Sequence, residues 1–123
     1  MQFSGEELSA IFKMGIAMCT ADGRCDDNEM VVLNNELARF GVSTIERLAI
    51  SEEASKMEFN KAVSIISNFN PEQKKYATAY LAIIMISDGE IDEKEKALWQ
   101  LVSLLCNLPE MNIIEAISFI KKL

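Results

Sequence analysis

Residues 70–86 read NPEQKKYATAYLAIIMI and carry the clearest helix signal in the chain. Asn70 is a favoured N-cap residue, Pro71 suits the first helical position, and Gln73 stands at the third. Apolar residues then recur at helical spacing, and the second half of the segment is apolar on nearly every side. A strand over 83–86 is the alternative, but the preceding helical period and the good cap argue against it. The segment therefore predicts a buried central helix.

Helix signals of the same kind flank this segment on both sides. Ser4 with Glu7, and Ser43 with Glu46, have the spacing of a capping box at a helix start. Gly and Pro are scarce, at 5 and 2, which leaves little room for flexible linkers or a turn-rich β fold. The sequence predicts an all-α fold, a compact bundle of about seven helices with short connections, in one domain over residues 1–123. Near its end, a helix is predicted with the apolar residues Leu98, Leu101, Val102 and Leu105.

The chain resembles itself after a shift of 66 residues. The segment ADGRCDDNE at 21–29 lies over SDGEIDEKE at 87–95, so that Asp, Gly, Asp and Glu fall at the same four places. An apolar helix precedes each copy and an amphipathic helix follows it. We therefore predict two repeat units, over about 5–56 and 71–123, that pack against each other about a pseudo-twofold axis.

Helix capping accounts for half of this duplicated motif. Asp26 with Glu29, and Asp92 with Glu95, have the N-cap and N3 spacing of a capping box. The glycine of each copy suits the positive φ of a tight turn between helices. On this interpretation the acidic loops are structural, and the chain is a protein–protein interaction module.

Capping does not explain Asp22 and Asp88. Each is expected at the C-terminal end of a helix, where the macrodipole disfavours a negative charge unless a cation or a donor satisfies it. If the pseudo-twofold axis brings the loops together, six carboxylates face a shared region. Hard oxygen donors of this kind select Ca²⁺, Mg²⁺ or Mn²⁺ rather than Zn²⁺. The ligands of this predicted divalent-cation site are Asp22, Asp26, Glu29, Asp88, Asp92 and Glu95.

The spacing of each copy also matches the second half of an EF-hand loop, with glycine at position 6 and glutamate at position 12. Positions 1 and 3 then fall on Met18 and Thr20 in the first copy, and on Ile84 and Ile86 in the second. None of these residues carries a carboxylate. Neither copy is therefore expected to bind calcium as an ordinary EF-hand.

The composition narrows the function classes. The formal net charge is −7, so neither nucleic acid nor an anionic lipid surface is expected as a partner. The chain has no histidine, which removes Ser-His-Asp and Cys-His nucleophiles and every histidine-containing zinc site. A metal-dependent enzyme is the least favoured alternative, and we predict a non-enzymatic protein. A protein partner is expected, and its sign would be an exposed apolar patch around Trp99 or Tyr80, although core or half-buried packing is expected for both.

The cysteines and the apolar segments bear on the compartment. Cys19, Cys25 and Cys106 are odd in number and include no CxxC pair, so reduced thiols are expected, with Cys19 and Cys106 in the core. The most apolar segment, 79–87, is far shorter than a bilayer span, and the N-terminus has no signal-like stretch. The prediction is a cytoplasmic protein.

The second acidic copy, SDGEIDEKE, is close to the ADGxIDxxE pattern of the TerB-like family, which is named for bacterial tellurite-resistance proteins. The first copy is looser, with Cys25 where the family has an aliphatic residue. The resemblance extends from about residue 5 to 120. It implies a TerB-like fold and a divalent-cation or acidic-cluster site at the six carboxylates. It also implies a link to stress and tellurite-resistance systems. Members of the family also occur as modules of larger proteins, including co-chaperones.

Overall fold

The computed structural model describes residues 1–21, 23, 25–87 and 92–123, apart from the side chain of Glu29. Within these ranges the chain forms seven α-helices and no strand, so the predicted all-α fold class is confirmed. None of the helices described is both long and apolar enough to cross a membrane. The helices are α1 (Gly5–Cys19), α2 (Asp27–Arg39), α3 (Thr44–Lys56), α4 (Phe59–Ser67), α5 (Pro71–Ile86), α6 (Glu93–Leu105) and α7 (Ile113–Lys121).

Side-chain caps start the helices where the sequence predicts them. Ser4 Oγ accepts from the Glu7 backbone N–H at 3.1 Å, and the Glu7 carboxylate accepts from the Ser4 N–H at 2.8 Å. The same reciprocal exchange starts α3 and α5. At α7, Asn112 Oδ1 accepts from the Glu115 N–H at 2.8 Å. Each such cap contributes roughly 1 kcal/mol to helix stability.

Helix α5 is the centre of the fold. It contacts α1, α2, α4, α6 and α7, and it is buried along most of its length. The prediction of a buried central helix is therefore confirmed. Its fully buried large side chains are Tyr76, Tyr80, Leu81, Ile84 and Met85.

The helix bounds and contacts follow the 66-residue shift. The shift carries α2 onto α6 residue for residue, and it carries the N-cap of α1, Ser4, onto the N-cap of α5, Asn70. Helix α1 packs on α2, α3 and α6, while α5 packs on α6, α7 and α2. These contacts exchange under the shift, while the pseudo-twofold axis itself stays a prediction. Helix α4 lies outside the correspondence and connects the units.

Helices α1 and α5 cross at Gly15. A Cβ atom at this position would overlap Leu33 Cδ2 and would lie 3.1 Å from Tyr80 Oη and 3.2 Å from Ile84 Cδ1. Glycine is therefore required for the close approach of α1 to α2 and α5. Gly15 is four residues before the end of α1, and Ile84 is two residues before the end of α5. At a rise of about 1.5 Å per residue, α1 and α5 each end within roughly 6 Å, measured along the helix axis, of this crossing. The acidic loops follow these helix ends.

A buried carboxylate joins α2 to α5. Glu36 Oε2 accepts from the Tyr76 hydroxyl at 2.6 Å and from Arg39 Nε at 2.9 Å, while Oε1 accepts from Arg39 Nη2 at 3.2 Å. Burial of the phenol and the adjacent Glu36 charge raise the pKa of Tyr76 well above its usual range. The rings of Phe3 and Phe40 pack on Tyr76 at centroid distances of 5.5 Å and 5.2 Å. With its donors in place, Glu36 is a structural group of the core.

Candidate functional site

The structure describes only part of the predicted cation site. Asp22 and Asp88 lie outside the described residues, and so does the side chain of Glu29. Asp26, Asp92 and Glu95 are described. Within the described residues, no three Asp, Glu, Cys or His side chains form a group that could hold a metal ion. The two aspartates that capping does not explain therefore remain sequence predictions.

The second loop ends in the helix cap that the sequence predicts. Asp92 Oδ1 accepts from the Lys94 N–H at 2.8 Å and from the Glu95 N–H at 3.2 Å. One carboxylate oxygen of Asp92 is therefore engaged at the start of α6, where the helix dipole also favours its charge.

Glu95 occupies the third position of α6, and its side chain is only 2% exposed. A carboxylate at this position of a surface helix would ordinarily face water. Charged groups in protein interiors are paired or coordinate a metal ion, because desolvating an isolated charge is costly. The structure thus places a buried carboxylate at the last position of the second acidic loop.

The first loop has the turn that its glycine predicts. Gly23 has a φ of 120°, and its N–H donates to the carbonyl oxygen of Thr20 at 2.9 Å. Asp26 directly precedes α2, and its carbonyl oxygen accepts from the Met30 N–H at 3.0 Å. The half-buried Asp26 side chain therefore stands at the N-terminal end of α2, as the motif predicts.

A disulfide closes this first loop. Cys19 at the end of α1 is bonded to Cys25, with their Cα atoms 4.7 Å apart, which corrects the prediction of reduced thiols. The count and spacing of cysteines could not reveal this pair, because the α1–α2 turn brings the two residues together. The cysteine count therefore no longer argues for a reducing compartment. The other prediction for the cysteines holds, since Cys19 and the free Cys106 are both buried. Burial raises the pKa of the Cys106 thiol to about 11.

We expect one titratable thiol in the denatured, non-reduced protein, because Cys106 is free and the other two cysteines are bonded. A disulfide between residues six apart in sequence lowers the entropy of the unfolded chain and so adds about 2 kcal/mol to the free energy of unfolding. Cys25→Ala should therefore lower the free energy of unfolding by about that amount in urea denaturation. Dithiothreitol should bring the wild type to the same stability and leave the variant unchanged. Three titratable thiols in the denatured protein would contradict this pairing.

The chain is a small all-α protein whose sequence carries an acidic motif twice, once after α1 and once after α5. No family model matches the sequence, and no curated protein is detectably similar to it. The chain is similar to the crystal structure of a protein of unknown function, PG1108 from Porphyromonas gingivalis. The two share 43% sequence identity and a TM-score of 0.88 over 100% of this chain and 99% of that one. The chain therefore belongs to the same family as that Porphyromonas protein.

Proposed function

We propose that this chain is a non-enzymatic, TerB-like domain that binds a divalent cation at its paired acidic loops. A role in stress response or tellurite resistance follows only from the resemblance of the loops to that family. The observation that carries the proposal is the burial of Glu95 at the end of the second loop. A glutamate at this place in the motif can supply carboxylate oxygens to a divalent cation held by the loop.

The position of Glu95 in the loop supports the same proposal. It corresponds to position 12 of an EF-hand loop, where a glutamate supplies both oxygens to the ion. The close approach at Gly15 is a second supporting observation, because it lies four residues before the end of α1 and involves Ile84, two residues before the end of α5. Carboxylates from two loops could then contribute to one ion, since the three carboxylates of one loop fall short of the six to eight oxygens that Ca²⁺ prefers. The oxygen donors favour Ca²⁺, Mg²⁺ or Mn²⁺.

Cation binding is expected to raise the stability of the folded protein. At about 100 times the Kd, a ligand that binds only the folded state adds roughly 2.7 kcal/mol. Thermal unfolding with Ca²⁺, Mg²⁺ or Mn²⁺, each against excess chelator, should therefore show a higher midpoint with the ion. Asp88→Asn should remove most of this shift. The matched control is Glu52→Gln on the exposed face of α3, which should keep the shift.

A further variant separates a ligand from a structural carboxylate. Glu95→Gln keeps the shape of the side chain and removes its charge. If Glu95 serves the ion, this variant should lose the cation-dependent shift. If Glu95 is only structural, the midpoint should change equally with and without the ion. No shift of the wild type with any of the three ions would reject the proposal.

The second candidate function is a protein-interaction module whose acidic loops are helix caps. The cap made by Asp92 is consistent with it, and the specific observation is exposed apolar surface on α6 and α7. Leu104 is 81% exposed and Ile114 is 80% exposed. Trp99 is half-buried, as expected, while Tyr80 is in the core and takes no part in such a surface.

A further inference from the structure

A groove of about 800 Å³ lies between α5, α6 and the start of α7. Thr78 forms part of its floor, and Trp99, Leu104 and Met111 line its walls. A second hollow of about 490 Å³ lies beside it, shares Trp99 and Met111, and extends to Ile114. The two hollows adjoin at Trp99 and Met111; the larger one has a mixed polar and apolar lining, and the smaller one is mainly apolar.

The residue at the floor of this groove departs from the internal repeat. The 66-residue shift carries Phe12, which is buried in the first unit, onto Thr78. The second unit therefore has a small side chain where the first has an aromatic ring. The Thr78 hydroxyl donates to the Lys74 carbonyl oxygen at 2.8 Å, so its hydrogen bond is made within α5.

A second departure from the repeat lies at the end of the groove. The shift carries Ser43, the N-cap of α3, onto Pro109, which has no side-chain oxygen to cap a helix. Helix α7 therefore begins at Ile113, later than the shift predicts, after its own cap at Asn112. Residues 110–112 are not helical and line the groove, where α3 has its first turn.

Trp99 and Met111 in the groove are of the residue types that anchor protein interfaces. Tryptophan and methionine are enriched in interface cores, and an exposed leucine such as Leu104 adds apolar area beside them. Trp99 Nε1 is buried and has no hydrogen-bond acceptor in the part of the chain that the structure describes. An unsatisfied buried donor of this kind is costly.

The charged side chains that line the groove have one sign. Its charged lining residues are Glu110 and Glu115, and neither forms an ion pair within the described residues. The chain as a whole has a formal net charge of −7. An occupant that brings Lys or Arg to the rim would be attracted, whereas an acidic one would be repelled.

We propose that this groove binds a partner protein through a segment that places a large apolar side chain next to a lysine or arginine. The apolar side chain would fill the space above Thr78, and the cation would lie against Glu110 and Glu115. A second copy of this chain fits less well, because it brings 19 acidic residues against 12 basic ones. The inference rests on the second candidate function, the interaction module, and is independent of cation binding.

A phage-displayed library of random 16-residue peptides, selected on the full-length protein, tests this proposal. We expect the enriched peptides to carry net positive charge and at least one large apolar residue. Leu104→Ser should weaken their binding at least 10-fold. The matched control is Ile45→Ser on α3, which should leave binding unchanged; Ile45 is 80% exposed and Leu104 is 81% exposed. The double substitution Glu110→Gln and Glu115→Gln should weaken binding several-fold and reduce its dependence on salt.

The fluorescence of Trp99, the single tryptophan, reports occupancy of the groove directly. Its emission should shift when a synthetic enriched peptide binds.

Peptides that bind Leu104→Ser as tightly as the wild type would overturn the assignment of binding to the groove, but not the interaction module. Failure to enrich any peptide over a protein-free surface would overturn both, and enrichment of acidic peptides would overturn the charge argument. A concentration-dependent dimer that Leu104→Ser abolishes would assign the groove to a second copy instead. None of these outcomes bears on cation binding by the acidic loops, which the unfolding experiment with chelator tests separately.

Discussion

Replacing Tyr76 by alanine is expected to lower the free energy of unfolding by about 4 kcal/mol. The ring is 1% exposed and packs between Phe3, Phe40 and Tyr80, with centroid distances between 5.2 and 5.9 Å. Truncation of a buried aromatic side chain costs roughly 3–5 kcal/mol through lost contacts and the cavity that remains. Urea denaturation of the two proteins, with equal m-values, measures the difference.

The hydroxyl of Tyr76 adds a separable part of this effect. Without it, buried Glu36 keeps only Arg39 as the partner described above. Tyr76→Phe preserves the ring and should cost about 1–3 kcal/mol, because a buried acceptor loses a donor. Combining it with Glu36→Gln should cost less than the sum of the two single changes. If Tyr76→Phe is neutral in the wild-type background, the proposed importance of this hydrogen bond is wrong.

Gly15→Val is expected to destabilise the protein by about 3 kcal/mol, as overpacking of a close helix crossing does. The new Cβ atom would overlap Leu33 Cδ2, and Leu33 is fully buried, so it has no open space to enter. Tyr80 and Ile84 restrict the Cβ from the side of α5. Thermal or urea unfolding would measure the loss.

Gly5→Val is the matched control for this change. Gly5 is the first residue of α1, and a Cβ atom there meets nothing within 4 Å. The substitution should therefore change the free energy of unfolding by only a few tenths of a kcal/mol. Equal losses at the two glycines would mean that the close approach at Gly15 does not explain its effect. Gly15→Ala is the smallest change at this position. The overlap of its methyl group with Leu33 should be partly offset by a gain of about 1 kcal/mol in helix propensity.

Local signals predicted the helices well because their causes lie within a few residues. The cap at Asn70 with Gln73, and the proline between them, are an interaction within one turn. The same holds for Asp92, whose cap on α6 was predicted from spacing alone. For the candidate site, the sequence therefore predicted the structural half of the motif. Asp22 and Asp88, which carry the cation hypothesis, stay predictions.

Apolar periodicity predicted less about α6. Of the four apolar residues named for this helix, Val102 is buried, but Leu101 and Leu105 are about half exposed. Periodicity shows that residues share a face, but not how much of that face a neighbouring helix covers. The equivalent positions of α2 under the 66-residue shift, Asn35 and Arg39, are exposed as well. The exposed surface that supports the interaction module therefore follows from packing.

The sequence by itself determined the number of helices, their caps, the buried role of α5 and the internal repeat, because these depend on local spacing. Only the tertiary structure revealed the Cys19–Cys25 disulfide, the pairing of Glu36 with Tyr76, and the need for glycine at position 15. Each of these depends on how the turns and helix crossings bring separate parts of the chain together. The burial of Glu95 belongs with them, because a third position in a helix faces either water or protein according to what packs against it.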